Sequence, residues 1–397
     1  MSYTPDPHDD WAEWDTPTQV APPRQRSARS GPLGVFGPGA SAQSPVARPQ
    51  GRATLLSGAE RKPPQRGRWR MLFALIGLAL ALALVITLGS FANRMLAFGS
   101  AISPQAPLST QTGYMSGAGR VNILVMGYGG AGWSGPYLTD SMMVISFVPG
   151  DSATTLISVP RDLWVQVPAN SGNYSKLNYA FEQAYYNGYD AGTPGAAKIP
   201  PGQLAGGMQA TAKVSEITGL DIPYFMTIDF QGFRELIDAL GGIDVNVPRT
   251  IVLNYPPGNG WPKQFTKGTQ HMNGVQALQY ARARYVLSPA SEGTDFARAA
   301  RQQLIVRAVV DRMRSPSAWP GLSKAQTALQ KTIYTNLSLA DLTALTLKLN
   351  LSHAAHVGIT TDNVLVNAVS SDGQDILLPE NGDWNAIKTY VSSHLRQ

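Results

Sequence analysis

The sequence predicts an α/β domain of three layers, α/β/α around a mixed sheet, placed behind one N-terminal transmembrane helix. Three observations lead there. From residue 121 onward, short β-branched or apolar runs bounded by Gly and Pro alternate with helix-like segments. Two of those runs, 141–148 and 154–159, are joined only by Pro149, Gly150, Asp151, Ser152 and Ala153, which suits a hairpin and makes part of the sheet antiparallel. Ahead of both lies a charge-free run over residues 71–92.

Taken in order, residues 1–70 form a tail holding 11 of the 29 prolines among Gly, Ser, Gln and Arg, with no helical or strand period. Such a composition buries too little apolar surface to offset its ordering entropy, so the tail is expected to be disordered. Residues 71–92 (MLFALIGLALALALVITLGSFA) extend ~33 Å as a helix, enough for a bilayer core of ~30 Å. Arg61, Lys62, Arg66, Arg68 and Arg70 crowd the N-terminal side, while Arg94 stands alone beyond it before Arg120. The positive-inside bias therefore predicts a single-pass protein of the cell membrane, with its N-terminus cytoplasmic and its C-terminal domain extracytoplasmic. Residues 93–119 read as a tether, and 120–397 as the globular part. Within it, VNILVM, SMMVISFV, TTLISV and YFMTID read as strands. QGFRELIDAL reads as a helix stopped by Gly241 and Gly242, and IDVNV as the next strand. Residues 274–281 look helical, and 295–314 form a long helix capped by Asp295 and stopped before Pro316. Two further helices are expected in LSLADLTALTLKLN and DWNAIKTYVSSHL, to which the sequence assigns no role.

Composition excludes several classes. With no cysteine in 397 residues, thiolate zinc sites, disulfide scaffolds, iron–sulfur centres and cysteine nucleophiles are ruled out. The net charge of +6 is carried largely by residues 1–70, with 10 Lys+Arg against 6 Asp+Glu, so the remainder is nearly neutral and no nucleic-acid partner is expected. The five histidines make no metal set; His353 and His356 lie three apart without a third ligand. No GxSxG triad signature occurs.

Gly127, Gly129 and Gly132 fit GxGxxG directly after a strand. A phosphate-binding Rossmann turn must open a helix, however, and here the glycines run on into Trp133, Gly135, Pro136 and another strand, so a loop bordering a cleft is the better reading. More informative is the density of guanidinium groups: seven of the 13 arginines after the apolar run fall between Arg282 and Arg314. Arg282 and Arg284 share a face if QYARARY is extended. In DFARAARQQ the helical step places Asp295, Arg298, Arg301 and Gln302 on one polar stripe, either a fork for phosphate oxygens or a solvated face with ion pairs. Arg161 and Asp162 follow a strand, where α/β sheets hold ligands, although alone the pair is a turn. Asp140, after Thr139 at a strand start, offers a carboxylate for a hard divalent cation, and Lys176 with Asn178 a donor pair.

In sequence order, VNILVMG, LTDSMMV, ISVPRDLWV, SKLNYAF, YFMTIDFQGFRELIDALGGIDVNV, KGTQHMNGVQALQYARARY and DFARAARQQ resemble the LytR-CpsA-Psr family of cell-wall glycopolymer transferases. The resemblance implies a phosphotransferase that moves a glycopolymer from a polyprenyl-diphosphate carrier onto peptidoglycan or another wall acceptor, with magnesium at the pyrophosphate. It implies that Asp140 is the metal-linked aspartate, that Arg161, Asp162, Arg282 and Arg284 act with it in catalysis, and that Lys176, Asp295, Arg298, Arg301 and Gln302 surround the pyrophosphate. Asp162 either orients an arginine or takes the acceptor's proton. The chain departs from the family pattern twice, with Gly129 where members commonly carry an aspartate and Thr139 where they often carry arginine. The implied metal site is then either incomplete or completed by substrate oxygens and water. Rival readings are a lipid-diphosphate pyrophosphatase using water as acceptor, a non-catalytic cell-envelope regulator, and, least favoured, transcriptional control, for which the tail shows no helix-turn-helix pattern.

Overall fold

The computed structural model describes residues 119–150, 153–191, 198–255, 260–318, 321, 330–351 and 353–396, with Asn93. The expected tail, the expected span at 71–92 and nearly all of the expected tether lie outside the described residues. Among the described residues no helix is long and apolar enough to cross a membrane.

A six-stranded mixed sheet forms the centre, in the order β12-β6-β1-β2-β3-β13. Strands β1 (Val121–Tyr128), β2 (Thr139–Phe147) and β3 (Thr154–Ser158) are antiparallel neighbours, as the short Pro149–Ala153 connection predicts. Strand β6 (Tyr224–Asp229) adds parallel to β1, β12 (Ile333–Thr335) antiparallel to β6, and β13 (Ala355–Gly358) parallel to β3. Almost every residue of β1 and β2 is buried, because both sheet faces are covered. On one face Leu124, Met126, Val144 and Ile157 meet Phe181 of α1 (Tyr179–Asn187), Ala210 and Val214 of α2 (Gln203–Thr218), and Ile387 and Val391 of α7 (Trp384–His394). On the other, Ile123, Met143, Ile145 and Leu156 meet Val306 and Val310 of α5 (Asp295–Met313) and Leu342 and Leu345 of α6 (Leu339–Lys348). Each such fully buried aliphatic side chain contributes about 1.5–3 kcal/mol by leaving water. The expected three layers are present.

A second cluster lies beside the sandwich, where α3 (Phe230–Ala239), α4 (Gly274–Arg282) and the middle of α5 pack over the β7 (Ile243–Val247) and β10 (Gly268–Met272) pair through Ile237, Val245, Tyr280 and Ile305. It also takes in the small sheet of β8 (Ile251–Leu253), β9 (Gln264–Phe265) and β11 (Val286–Ser288). Two more hairpins complete the chain: β4 (Trp164–Gln166) with β5 (Tyr174–Lys176), and β14 (Leu365–Val369) with β15 (Asp375–Pro379).

Two local readings are corrected. The cap of α5 is Thr294, whose Oγ1 accepts from Ala297 N at 3.1 Å; Asp295 is the first helical residue. Residues 280–284 are not one extended stretch, since α4 runs to Arg282 and of the two arginines Arg284 alone lies in the following coil. The two expected C-terminal helices are present, capped by Ser338 in a capping box with Asp341 and by Asp383.

Strand direction sets up the site. Because β2 runs against β1 and β3, its first residues lie beside the last residues of both, with Tyr128 opposite Thr139 and Ser158 opposite Met143. Since β6 is parallel to β1, Asp229 ends at the same level, opposite Tyr128. The loops after β1, β3 and β6 and the start of β2 therefore share one edge of the sheet.

Candidate functional site

At that edge Arg161, just beyond β3, is fixed from both sides. Its carbonyl accepts from Asn178 N at 3.1 Å, and Leu163 O accepts from Leu177 N at 2.8 Å, which ties the segment to the end of the β4–β5 hairpin. Arg161 Nη1 donates to Asp140 Oδ1 at 2.5 Å. Its Nε is 3.4 Å from Asp162 Oδ2, and Lys176 Nζ lies 3.0 Å from Asp162 Oδ1. The Nε–Asp162 approach is an ion pair by distance only, since that buried nitrogen has no aligned hydrogen-bond acceptor. Burial raises the Asp162 pKa, but Arg161, Lys176 and Arg298 together more than offset it and hold the carboxyl below the usual carboxylate range.

Arg298 approaches the same cluster from the first turns of α5. Burial above all, and then the charge of Arg284, pushes its guanidinium down to about 10; Asp295 and Asp140 oppose the shift, and Arg161 adds to it. Arg298 thus shares its fields with two further arginines, Arg161 and Arg284, and with three carboxylates, Asp140, Asp162 and Asp295. The Arg298 side chain is 8% exposed. Its Nη1 is 2.9 Å from Asp295 Oδ1 yet misdirected for a hydrogen bond, leaving a buried N–H donor unsatisfied. Crowded guanidinium groups with an unsatisfied donor form a receptor for a multiply charged oxyanion.

Arg282 is positioned differently, above the ends of β1 and β6. Its Cζ lies 4.6 Å from the Trp133 ring centre and 4.4 Å from that of Phe230, and the two rings meet edge to face at 5.1 Å. The glycine run that precedes Trp133 opens no helix. It curls back, with Gly130 N donating to Pro136 O at 2.9 Å, and leads into β2. Gly130 has φ +88°, and a Cβ on Gly129 would stand 2.8 Å from Trp133 Cβ. Any side chain at 129, an aspartate included, would displace the indole that holds Arg282.

The predicted stripe on α5 divides. Arg298 and Asp295 join the cluster, and Gln302 Oε1 accepts from Ser141 Oγ at 2.8 Å, anchoring the helix to β2. Arg301 turns into the protein: Nε donates to Tyr280 O at 3.2 Å, Nη1 to Glu292 O at 2.8 Å and Glu292 Oε2 at 3.1 Å, and Nη2 to Ala283 O. Its donors are committed to closing the end of α4 onto α5. Trp133, Phe230 and Glu292 escaped the sequence reading. An aromatic directly after a glycine run was the available signal for the first, whereas pairings as remote as Glu292 with Arg301 have none.

No group of three or more His, Asp or Glu side chains able to hold a metal ion occurs among the described residues. Asp140, with 40% of its side chain exposed, is a single carboxylate. That suits magnesium only in its usual mode, one or two carboxylates with the remaining ligands from water and substrate phosphates.

An α/β/α sandwich with clustered arginines and carboxylates at the strand ends is the class that fold and geometry define. The chain belongs to the LytR_cpsA_psr family, whose model matches residues 88–392. The polyisoprenyl-teichoic acid–peptidoglycan teichoic acid transferase TagV of Bacillus subtilis (strain 168) is 28% identical over 248 residues, 62% of this chain and 54% of that protein. TagU of Bacillus mycoides (strain KBAB4), which has the same activity name, is 28% identical over 228 residues, 57% of this chain and 64% of its own. The chain spans between about half and two thirds of the length of these relatives. The fold matches the crystal structure of B. subtilis TagV with a TM-score of 0.52 at 24% identity, covering 70% of this chain and 98% of that one. Protein gbs0355 from Streptococcus agalactiae matches with a TM-score of 0.52 at 23% identity, over 72% and 91%.

Proposed function

We propose that this protein transfers a phosphate-linked glycopolymer from a polyprenyl-diphosphate carrier to peptidoglycan or another cell-wall acceptor, working at the outer face of the cell membrane to which residues 71–92 anchor it. The names of the curated relatives support the substrate class. The observation that carries the reading is the buried Arg298 guanidinium, one donor unsatisfied and opposed by the charges of Arg284 and Arg161, at the edge where the strands end. A diphosphate there relieves the cation–cation repulsion and satisfies the donor.

In the proposed reaction the acceptor hydroxyl oxygen bonds to the polymer-bearing phosphorus, the bridging P–O bond breaks, and the lipid monophosphate departs, its freed oxygen taking up the hydroxyl proton. Arg161, Arg284 and Arg298 neutralise the non-bridging and leaving oxygens, and Arg282, held flat by Trp133 and Phe230, closes the site from the glycine loop. Asp295 orients Arg298. Asp162, ionised and doubly paired, orients Arg161 and Lys176; its depressed pKa makes it a poor proton acceptor. Arg301 and Gln302 keep α5 and α4 in place. Asp140 is the group that would hold a magnesium ion arriving with the diphosphate, which would supply further charge neutralisation.

The test is binding of a polyprenyl diphosphate to the purified protein, followed by product analysis with and without peptidoglycan. An Arg282→Ala, Arg284→Ala double variant that binds the lipid as tightly as the parent overturns the assignment. Release of free polymer at the same rate with or without acceptor would make the protein a pyrophosphatase.

A further inference from the structure

Next to the cluster, the β4–β5 hairpin presents an outward face on which the transfer chemistry uses Lys176 but not Trp164, Gln166 or Tyr174. Trp164 pairs directly with Lys176, and Gln166 with Tyr174, so these four side chains share one face, while Val165 between them points into the core. The Trp164 and Tyr174 rings are nearly parallel, 18° apart with centres 6.5 Å from each other, and Gln166 Nε2 donates to Tyr174 Oη at 3.1 Å. Tyr174 is 52% exposed, among the most exposed large apolar side chains described. The face runs without a break into the site, because Lys176 is the residue whose ammonium pairs with Asp162 beside Arg161. A second wall comes from the β14–β15 hairpin. Leu377 N donates to Asp162 O at 2.9 Å, and Leu163 bridges to Leu377. At that hairpin's turn, Asp372 accepts from Ser370 Oγ and, at 2.7 Å, from Gln374 Nε2, and it lies within the field of Lys176.

Flat aromatic faces flanked by amide side chains match the chemistry of a pyranose, whose axial C–H groups pack on rings while its hydroxyls seek planar polar partners. Charge selects among sugars. Lys176 is already opposed by Asp162 and Asp372, so the shelf offers no net positive field to a phosphate-rich polymer, and Asp372 at its rim repels one. An uncharged glycan meets no such barrier. We propose that this face is the acceptor subsite, seating a sugar ring of the wall glycan across Trp164 and Tyr174, with Gln166 and Gln374 as hydrogen-bonding partners. The inference rests on the transferase reading, and it places the acceptor on the Lys176 side of Asp162, opposite the arginines.

The test uses the full chain in lipid nanodiscs and two separate titrations, one with a chitin oligosaccharide as an uncharged glycan probe and one with a polyprenyl diphosphate. Tyr174→Ala removes a half-exposed ring with little risk to folding, and Trp164→Ala removes the inner one. Each is expected to weaken oligosaccharide binding about tenfold and to raise the acceptor KM, with polyprenyl-diphosphate binding and kcat at saturating acceptor unchanged. Unaltered oligosaccharide binding in both variants overturns the proposal. So does a parent protein that binds the lipid but no oligosaccharide, an outcome that leaves the transferase reading intact. Failure to bind either probe removes both. A soluble poly(glycerol phosphate) that displaces the oligosaccharide from the parent but not from Tyr174→Ala would assign the shelf to the donor polymer and equally overturn the acceptor assignment.

Discussion

Replacing Arg298 by methionine is expected to make the protein more stable and less able to bind its substrate. The guanidinium stays protonated at neutral pH, but burial and the neighbouring Arg284 and Arg161 bring it down to about 10. That is roughly two to three powers of ten below the ordinary arginine value, and at about 1.4 kcal/mol each the charged side chain costs the empty protein about 3 kcal/mol. The sign follows from proton binding. Between about 10 and the ordinary arginine range the folded state binds fewer protons than the unfolded one, so parent stability rises with pH across that window, and the full cost is present below it. Methionine matches the length of the buried stem and carries no charge, so up to about 3 kcal/mol should be recovered at pH 7, a net figure that already includes the attraction of half-exposed Asp295. Urea unfolding at pH 7, with and without inorganic diphosphate, measures both halves. The parent should gain stability from the anion and the variant little. A variant that is destabilised, or that diphosphate stabilises as much as it does the parent, refutes the view of Arg298 as a charge held in strain for an anion.

Other outcomes follow from the same geometry. Arg301→Ala should lower stability by about 3 kcal/mol or more, because it strands the Tyr280, Ala283 and Glu292 acceptors; thermal unfolding checks this. Asp162→Asn should flatten the acid limb of the stability curve below about pH 4, where the parent loses the contribution of its depressed carboxyl as that group protonates; unfolding midpoints read between pH 2 and 7 test it. Trp133→Ala should weaken polyprenyl-diphosphate binding about tenfold by freeing Arg282, with a far smaller change in the unfolding midpoint. Chelation with EDTA should reduce diphosphate affinity without abolishing it, since the arginines carry most of the neutralisation; calorimetric titration with and without magnesium decides.

How far the sequence carried the reading depended on separation. The β2–β3 hairpin was legible because its connection is short and both partners are near-continuous apolar runs. Helix α5 was legible from its period and from Pro316, although Thr294 rather than Asp295 caps it. The parallel addition of β13 to β3 was not, for a parallel pairing leaves no turn signature between its strands. Within the site, periodicity correctly placed Asp295, Arg298, Arg301 and Gln302 on one arc of α5, but an arc does not say what faces each residue. Arg298 lies in the fields of Arg161 and Arg284, whereas Arg301, one turn on, meets the carbonyls at the end of α4. Arg282 and Arg284 were expected on one extended face; α4 retains its helical bonding through Arg282, so the aromatic pair takes one and the cluster the other.

The loop between Tyr128 and Thr139 leaves the sheet and returns to it at adjoining positions, on neighbouring strands that run in opposite directions. Residues added between those points would enlarge this loop without disturbing the pairing of a single strand. Such a change would leave Arg161 and Arg298 in place, whereas Arg282, which rests on Trp133 within the loop, would move with it.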